Sequence, residues 1–153
     1  MKSPFTGGAV KMCEEKRIVV FRGQEFMCNV KFFVCLDTNQ TFTTEELDKK
    51  NLAQVYDAYR EKYGIPTVEE IKHIRQKYGL SAAKMSEILG LGINQYRLYE
   101  QGEMPSEMVG KMLRVIENPI VFQLYVTNSR KQLKPSFYEK IISRLEKNKC
   151  MFA

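Results

Sequence analysis

The chain has 153 residues, 44% hydrophobic and 27% charged, as in globular proteins of one or two small domains. No apolar run approaches the roughly 20 residues that span a bilayer, and no signal-peptide segment is recognised near Met1, so we expect a cytoplasmic protein without a membrane role. The net charge of +6 is uneven: residues 119–153 carry seven basic and two acidic side chains, whereas residues 68–118 carry seven of each.

Residues 1–42 have the composition of a small antiparallel β unit. The stretches Arg17–Phe21 and Glu25–Cys35 are rich in β-branched and aromatic residues. Apolar residues alternate with more polar ones in the second stretch, as in a half-buried strand, at Phe26, Cys28, Val30, Phe32 and Val34. We expect two to four strands, with turns at Gly7-Gly8, Glu14-Glu15 and Arg22-Gly23-Gln24.

A helix is predicted from Thr43 to about Tyr63. Thr43 and Glu46 have the spacing of a capping box. Its apolar side is expected to include Leu47, Leu52, Val55, Tyr56, Tyr59 and Tyr63. Gly64-Ile65-Pro66 ends the helix and, with it, a first domain of residues 1–66.

The stretch Leu80–Gly102 predicts two short helices joined by a tight turn. Ser81 is expected to cap the first helix, and Gly90-Leu91-Gly92 breaks it. The second helix is predicted over Ile93–Glu100. Its inward residues would be Ile93, Tyr96 and Tyr99, which leaves Asn94, Gln95, Arg97 and Leu98 facing outward. This layout is typical of a helix-turn-helix, whose second helix enters the DNA major groove; the alternative is a plain helical hairpin.

Further helices are predicted around this motif. Val68–Tyr78 precedes it, with Thr67 and Glu70 as a second capping box and Gly79 as the C-cap. A helix over Glu107–Glu117 follows it, capped by Ser106, with its core side at Met108, Met112, Leu113 and Ile116.

Residues 119–153 are predicted to form a helical extension. Residues 120–133 favour a short helix, with a strand as the alternative. A last helix is expected from Pro135-Ser136, with Ser136 and Glu139 as a third capping box. This extension could pack on the domain, dimerise or fray.

The four cysteines, at positions 13, 28, 35 and 150, form no C-x-x-C pair and are expected to be free thiols. His73, the sole histidine, is interpreted as a surface or packing residue. Because no nucleophile–base pair, paired carboxylates or phosphate loop emerges, we expect no enzyme activity.

The order L-S, six residues, I-L-G, eight residues, Y-E-Q-G is similar to that of Xre/Cro-type repressors across Ile71–Ile116. Within it, the stretch from Gly92 to Gly102, G-I-N-Q-Y-R-L-Y-E-Q-G, resembles the G-V-N-x-F-x-R-Y-E-x-G pattern of MqsA/YgiT-type antitoxins. Together with the N-terminal unit and the linking helix, this resemblance covers about residues 1–118.

The resemblance implies an N-terminal zinc knuckle in which C-P-x-C-G and a later C-x-x-C supply four thiolates. The matching stretches here are Ser3–Gly7 and Cys35–Thr38, and Cys35 is the sole cysteine left. Since Ser and Thr hydroxyls are not useful zinc ligands, a degenerate knuckle without metal is predicted, held by hydrogen bonds or apolar packing. Recruitment of Cys13 or Cys28 to a metal is the alternative.

The resemblance also implies DNA-reading residues. Asn94 matches an asparagine that reads bases, and Leu98 stands where the family has a base-reading arginine. An asparagine amide can bond adenine N6 and N7 together, whereas Leu98 could touch a thymine methyl. Arg97 would take a base or phosphate contact. The alternatives are a capping role for Asn94 and a solvated charge for Arg97. Weaker candidates, chiefly for phosphate contacts, are Gln95, Lys84 and Ser81. Glu100 is interpreted as structural, paired with a basic residue.

The predicted fold class is therefore α+β. A small antiparallel β domain with its linker helix spans residues 1–66, an all-α helix-turn-helix domain of Xre/Cro type spans residues 67–118, and the extension spans residues 119–153. As the resemblance implies, we expect a homodimeric antitoxin that binds double-stranded DNA at its own promoter as a repressor and neutralises a toxin.

Two other functions stay open. One is a stand-alone transcriptional regulator that has lost its toxin, which the missing zinc ligands favour. The other is a protein-interaction module without DNA function, which Leu98 and the balanced charge of residues 68–118 favour.

Overall fold

A computed structural model describes the backbone of residues 1–152 and the side chains of residues 1–147, so the Cys150 thiol lies outside the described part. Across residues 1–152, three strands precede seven helices, which confirms the predicted α+β class. The chain divides into two compact units, Met1–Lys62 and a second that begins at Tyr63. None of the described helices is long and apolar enough to cross a membrane.

The first unit contains an antiparallel sheet in the order β1 (Val10–Phe21), β2 (Gln24–Cys35) and β3 (Thr41–Phe42). The turn predicted over Arg22-Gly23-Gln24 is shorter in the structure, since Gln24 is the first residue of β2. Arg22 and Gly23 form a two-residue turn between β1 and β2, with positive φ angles of 49° and 75° that match the twist of a hairpin.

The predicted turn at Glu14-Glu15 is wrong. These residues lie in the middle of β1, opposite Lys31 and Val30 of β2. The opposite charges of Glu14 and Lys31 favour the pairing of the strands at this point.

Helix α1 (Glu45–Tyr63) begins one residue later than the capping box at Thr43 predicted. The hydroxyl of Thr44, not Thr43, accepts a hydrogen bond from the Leu47 amide at 3.2 Å. Among the predicted inward residues, Leu47, Val55 and Tyr59 are buried. Leu52 is 47% exposed because it lines an open cavity of about 410 Å³ between β1 and α1.

Two amide side chains of α1 cover the outer edge of β2. Asn51 bonds both the amide and the carbonyl of Lys31, at 3.0 and 2.9 Å, and Gln54 does the same to Asn29, at 3.2 and 2.8 Å. An exposed strand edge is a template for pairing with another chain. Since α1 blocks this edge, the outer side of β1 is the long edge of the sheet that no described strand or helix amide covers.

The second unit consists of helices α2 (Val68–Tyr78), α3 (Ala82–Leu89), α4 (Gln95–Glu100), α5 (Glu107–Val115), α6 (Pro119–Asn128) and α7 (Pro135–Phe152). The predicted capping box of α2 and the predicted N-caps of α3 and α5 are confirmed, as is a helix rather than a strand after residue 119. Their buried faces share one core, formed chiefly by Ile71, Ile74, Tyr78, Met85, Tyr96, Leu113, Ile116, Phe122, Val126, Ile141 and Leu145.

The predicted core position of Met108 is wrong, since its side chain is 78% exposed. Gly110 is the residue of α5 that faces inward at this level, and Ile65 packs directly against it. A Cβ at position 110 would lie 2.6 Å from Ile65 Cγ1. Ile65 can approach the backbone of α5 because Gly110 has no side chain. An apolar side chain at this position would not leave room for the contact.

Helix α7 begins within the predicted start at Pro135-Ser136, but the third capping box is wrong because Ser136 lies inside the helix. The helix begins at Pro135, and the Lys134 carbonyl accepts the first backbone bond, from the Tyr138 amide at 2.9 Å. Proline suits the first helical position because its φ is already helical and the amide it lacks would have no partner there.

Candidate nucleic-acid interface and degenerate knuckle

Helices α3 and α4 are joined by a short turn that local hydrogen bonds define. The Ser81 hydroxyl accepts from the Lys84 amide at 3.2 Å and caps α3. Gly90 ends α3 in the left-handed conformation, with φ of 72°, which glycine adopts without steric cost. Residues 91–94 then lead into α4.

Tyr96 fixes α4 against the core. Its side chain is fully buried, and its hydroxyl donates to the Ile71 carbonyl at 2.6 Å. The Tyr96 amide, one of the otherwise unpaired donors at the start of a helix, donates to the buried Ser86 hydroxyl at 3.0 Å. Burial, reinforced by the nearby Glu100 carboxylate, raises the pKa of Tyr96, so the phenol stays a protonated donor.

Glu100 pairs with a basic residue, as predicted. Its carboxylate accepts from Arg75 Nε at 2.7 Å, and the same guanidinium donates to the Leu80 carbonyl at 3.3 Å. The Glu100 side chain is only 10% exposed and that of Arg75 27%. This ion pair ties the C-terminal end of α4 to α2.

The structure brings three of the six predicted contact residues together on the open side of α4. Asn94, Arg97 and Leu98 are exposed, and Gln95 is half-buried. Asn94 occupies the N-cap position of α4, but its side chain makes no capping hydrogen bond. The amide of Asn94 is therefore not committed to capping, the alternative that the sequence left open.

The other two predicted residues lie on the first turn of α3. The Ser81 hydroxyl is exposed but accepts the capping bond. Lys84 pairs with Glu87 at 3.0 Å, and its ammonium lies 4.8 Å from the centre of the Phe137 ring. Lys84 is therefore partly neutralised and held in place.

Ile93 was missed as a surface residue. Its side chain was predicted to point inward with Tyr96 and Tyr99 but is 85% exposed. The reason is that α4 begins at Gln95, so helical spacing does not set the direction of Ile93. A large apolar side chain thus stands beside Asn94 at the tip of the candidate interface.

The structure brings together the four positions that match the knuckle cysteines, Ser3, Thr6, Cys35 and Thr38. The Thr6 hydroxyl lies 3.6 Å from the Cys35 sulfur and donates to Asp37 at 2.7 Å. Ser3, Thr6 and Thr38 all hydrogen-bond the fully buried Cys35 thiol. These neutral hydroxyls do not fit Zn²⁺, which takes thiolate, imidazole or carboxylate ligands. Hydrogen bonds to Cys35 connect these four positions.

The structure describes the side chains of three of the four cysteines. Cys13, Cys28 and Cys35 are free thiols, as predicted. Among residues with described side chains, no three His, Cys, Asp or Glu residues are grouped to hold a metal. On the β1–β2 ladder, Cys13 lies opposite Phe32 and Cys28 opposite Arg17, whereas Cys35 lies opposite Val10 at the end of β2.

The side chains of Ser3 and Thr38 make the Cys35 thiol more acidic. Hydrogen bonds with Ser3 and Thr38 are the main causes that outweigh burial and lower the pKa of the Cys35 thiol to about 6. In a pH titration of the ultraviolet thiolate absorbance, we expect a step near pH 6 that Cys35→Ser removes and Cys13→Ser retains. If the first thiolate step of the wild type lies at the ordinary thiol value of about 8.5, the hydroxyls do not stabilise the anion.

The lowered pKa of Cys35 makes the free energy of unfolding depend on pH. Because the folded pKa is below the unfolded one, the stabilisation by ionised Cys35 is fully present above about pH 8.5 and is lost as the pH falls through about 6. The free energy of unfolding should therefore rise over this range more steeply in the wild type than in Cys35→Ser.

One family of known proteins matches most of this chain. Residues 1–121 match the family described as the antitoxin component of bacterial toxin-antitoxin system, MqsA. The chain is 31% identical over 101 residues to the Antitoxin MqsA of Escherichia coli (strain K12), which covers 63% of this chain and 76% of that protein. The family match ends at residue 121, within α6, and leaves out α7.

Proposed function

Since the chain belongs to the MqsA antitoxin family, we propose that it is the antitoxin of a type II toxin-antitoxin pair and represses its own promoter as a DNA-binding homodimer. The family gives an antitoxin role and a toxin partner. The observation that carries the DNA-binding part is the exposed, uncommitted amide of Asn94 at the start of a helix that Tyr96 and Glu100 hold rigidly.

In this proposal α3 and α4 form a helix-turn-helix, with α4 in the major groove. Asn94 would bond adenine N6 and N7. Ile93 and Leu98, both exposed, are suited to thymine methyl groups. Arg97 would bond a base or a phosphate. Phosphate contacts are assigned to Gln95, Lys84 and Ser81.

The dimer would bind a pseudo-palindrome. Two copies of α4 would then read half-sites about one helical turn apart, roughly 34–36 Å. The exposed apolar residues Ile120 and Leu124, 58% and 59% exposed and one turn apart on α6, support a surface that a second copy covers.

The toxin is assigned to the first unit. Among the described residues, no strand or helix amide pairs with the outer edge of β1, whereas Asn51 and Gln54 cover that of β2. Met12, Ile18 and Val20 of β1 are each more than half exposed. An edge strand with exposed apolar side chains is suited to pair with a strand of another protein, so we place the toxin on β1 rather than on α1.

Two measurements test the proposal. Fluorescence anisotropy should show tight binding to DNA from immediately upstream of the protein's own gene and weak binding to a scrambled duplex. The product of the neighbouring gene, when co-expressed, should purify with this chain. Weak, salt-sensitive binding to both duplexes would mean that only charge is read and would favour the interaction module; selective DNA binding without a co-purifying partner would favour the stand-alone regulator.

A further inference from the structure

The proposed DNA reader lacks the positive charge that DNA binding usually requires. Residues 68–118, which contain α2 to α5, carry seven basic and seven acidic side chains. Lys84, the cation of α3, pairs with Glu87, and Arg97 is the cation of α4. Neutralisation of phosphates by Lys and Arg dominates the affinity of proteins for DNA, so the charge must come from another part of the chain.

The connection between α6 and α7 brings such charge to α3. Its residues Arg130, Lys131 and Lys134, here called the basic corner, are all exposed. No Asp or Glu occurs between Asn118 and Tyr138. The ion pairs among the described side chains include none of the three cations.

Two contacts hold the corner along α3. At its start, the buried Ser129 hydroxyl donates to the Ile88 carbonyl, near the C-terminal end of α3, at 3.1 Å. Just after it, Phe137 lies under the ammonium of Lys84, in the first turn of α3. The corner therefore runs beside α3 from one end to the other, and the buried Leu133 between these contacts holds it against the core.

Further contacts order the corner before any ligand binds. The Arg130 guanidinium lies 5.4 Å from the centre of the Tyr138 ring. These two residues, with Pro135 and Glu139, line a cavity of about 250 Å³, so one carboxylate shares the cavity with Arg130. Arg144 of α7 donates to the Tyr78 carbonyl at 3.0 Å and ties the extension to the C-terminal end of α2.

We infer that the basic corner binds the phosphate backbone of duplex DNA and extends the footprint beyond the bases that α4 reads. This inference rests on the proposed DNA-binding function. The first helix of a helix-turn-helix crosses the DNA backbone, and the corner lies alongside that helix. Phosphate contacts that begin at Ser81 and Lys84 would continue onto Arg130, Lys131 and Lys134.

The test compares two triple variants that lose the same charge. Arg130→Gln/Lys131→Gln/Lys134→Gln removes the corner, and Lys11→Gln/Lys49→Gln/Lys50→Gln removes three exposed cations of the first unit. Anisotropy titrations over a salt series use the upstream and the scrambled duplex. Each phosphate contact contributes roughly −0.9 to the slope of log affinity against log salt. For the corner variant, we expect this negative slope to become shallower by about 3 per protomer. Both duplexes should lose affinity by a similar factor.

The salt slopes of the two triple variants test the basic corner, and the affinities of the wild type for the two duplexes test the proposed function. Equal salt slopes for the two triple variants would overturn the role of the corner, whatever the selectivity of the wild type. A wild type that binds both duplexes equally would overturn sequence-specific repression and leave the slope comparison valid. A wild type that binds neither duplex at low salt would overturn both. Matching thermal unfolding midpoints would show that the variants remain folded, as expected for exposed residues.

Discussion

Asn94→Ala should lower the affinity for the upstream DNA by about 1–3 kcal/mol per half-site, roughly 5- to 150-fold, and leave binding to the scrambled duplex unchanged. A bidentate amide–adenine contact would be lost, whereas phosphate contacts would stay. The stability of the fold should hardly change, because the Asn94 side chain makes no capping bond in α4. Anisotropy and chemical denaturation measure the two effects separately.

Asn118 provides a matched control. It also occupies a helix N-cap position, but its side chain accepts from the Ile120 amide at 3.0 Å and caps α6. Asn118→Ala should therefore cost about 1 kcal/mol of stability without a loss of DNA selectivity. If Asn94→Ala instead destabilises the fold and keeps its selectivity, Asn94 is a structural residue and α4 does not read adenine through it.

The two short helices could be predicted from sequence, and the boundaries of α3 could be predicted because they depend on neighbouring residues. The Ser81 cap reaches three residues along the chain, and Gly90 ends α3 through its own backbone conformation. The same is true of the capping box of α2. Interactions of this range leave a signal in the spacing of residue types.

The direction of Ile93 could not be obtained in this way. Spacing of three residues places side chains on one face only within a helix, and α4 starts two residues after Ile93. At Met108, the choice of inward residue depends on Ile65, which approaches the backbone of α5 at Gly110. That approach is tertiary and leaves no periodic pattern.

The position of the basic extension depends on even longer separations. The sequence shows that residues 119–153 are basic. It does not show that Arg144 bonds the Tyr78 carbonyl, 66 residues earlier, or that Ser129 bonds Ile88. Only the structure places this charge beside α3.

Glu100→Ala should destabilise the fold by about 2–3 kcal/mol. Removal of one partner from a fully buried ion pair costs about 3–5 kcal/mol because the remaining charge is left uncompensated. We expect less here since Arg75 is 27% exposed and water can reach it. Chemical denaturation at pH 7 measures the loss. In the double variant Arg75→Met/Glu100→Leu, apolar packing replaces the pair, and most of the stability should return.

Lys111→Ala serves as the control because it breaks an ion pair that is exposed. Lys111 and Glu107 lie 3.1 Å apart one turn along α5, with side chains 68% and 50% exposed. Its loss should cost at most about 0.5 kcal/mol. Equal losses for Glu100→Ala and Lys111→Ala would mean that the Arg75–Glu100 pair contributes no more than a surface pair and does not hold α4.

Glu100→Ala also tests whether DNA recognition depends on the stability of α4. An isolated helix of six residues does not form in water, so α4 depends on Tyr96 at its start and Glu100 at its end for its position. When Glu100 is removed, Arg97 and Leu98 should lose their fixed placement even though neither is changed. Glu100→Ala should therefore lower affinity for the upstream duplex more than for the scrambled one, and the double variant should restore it only as far as it restores the rigidity of α4.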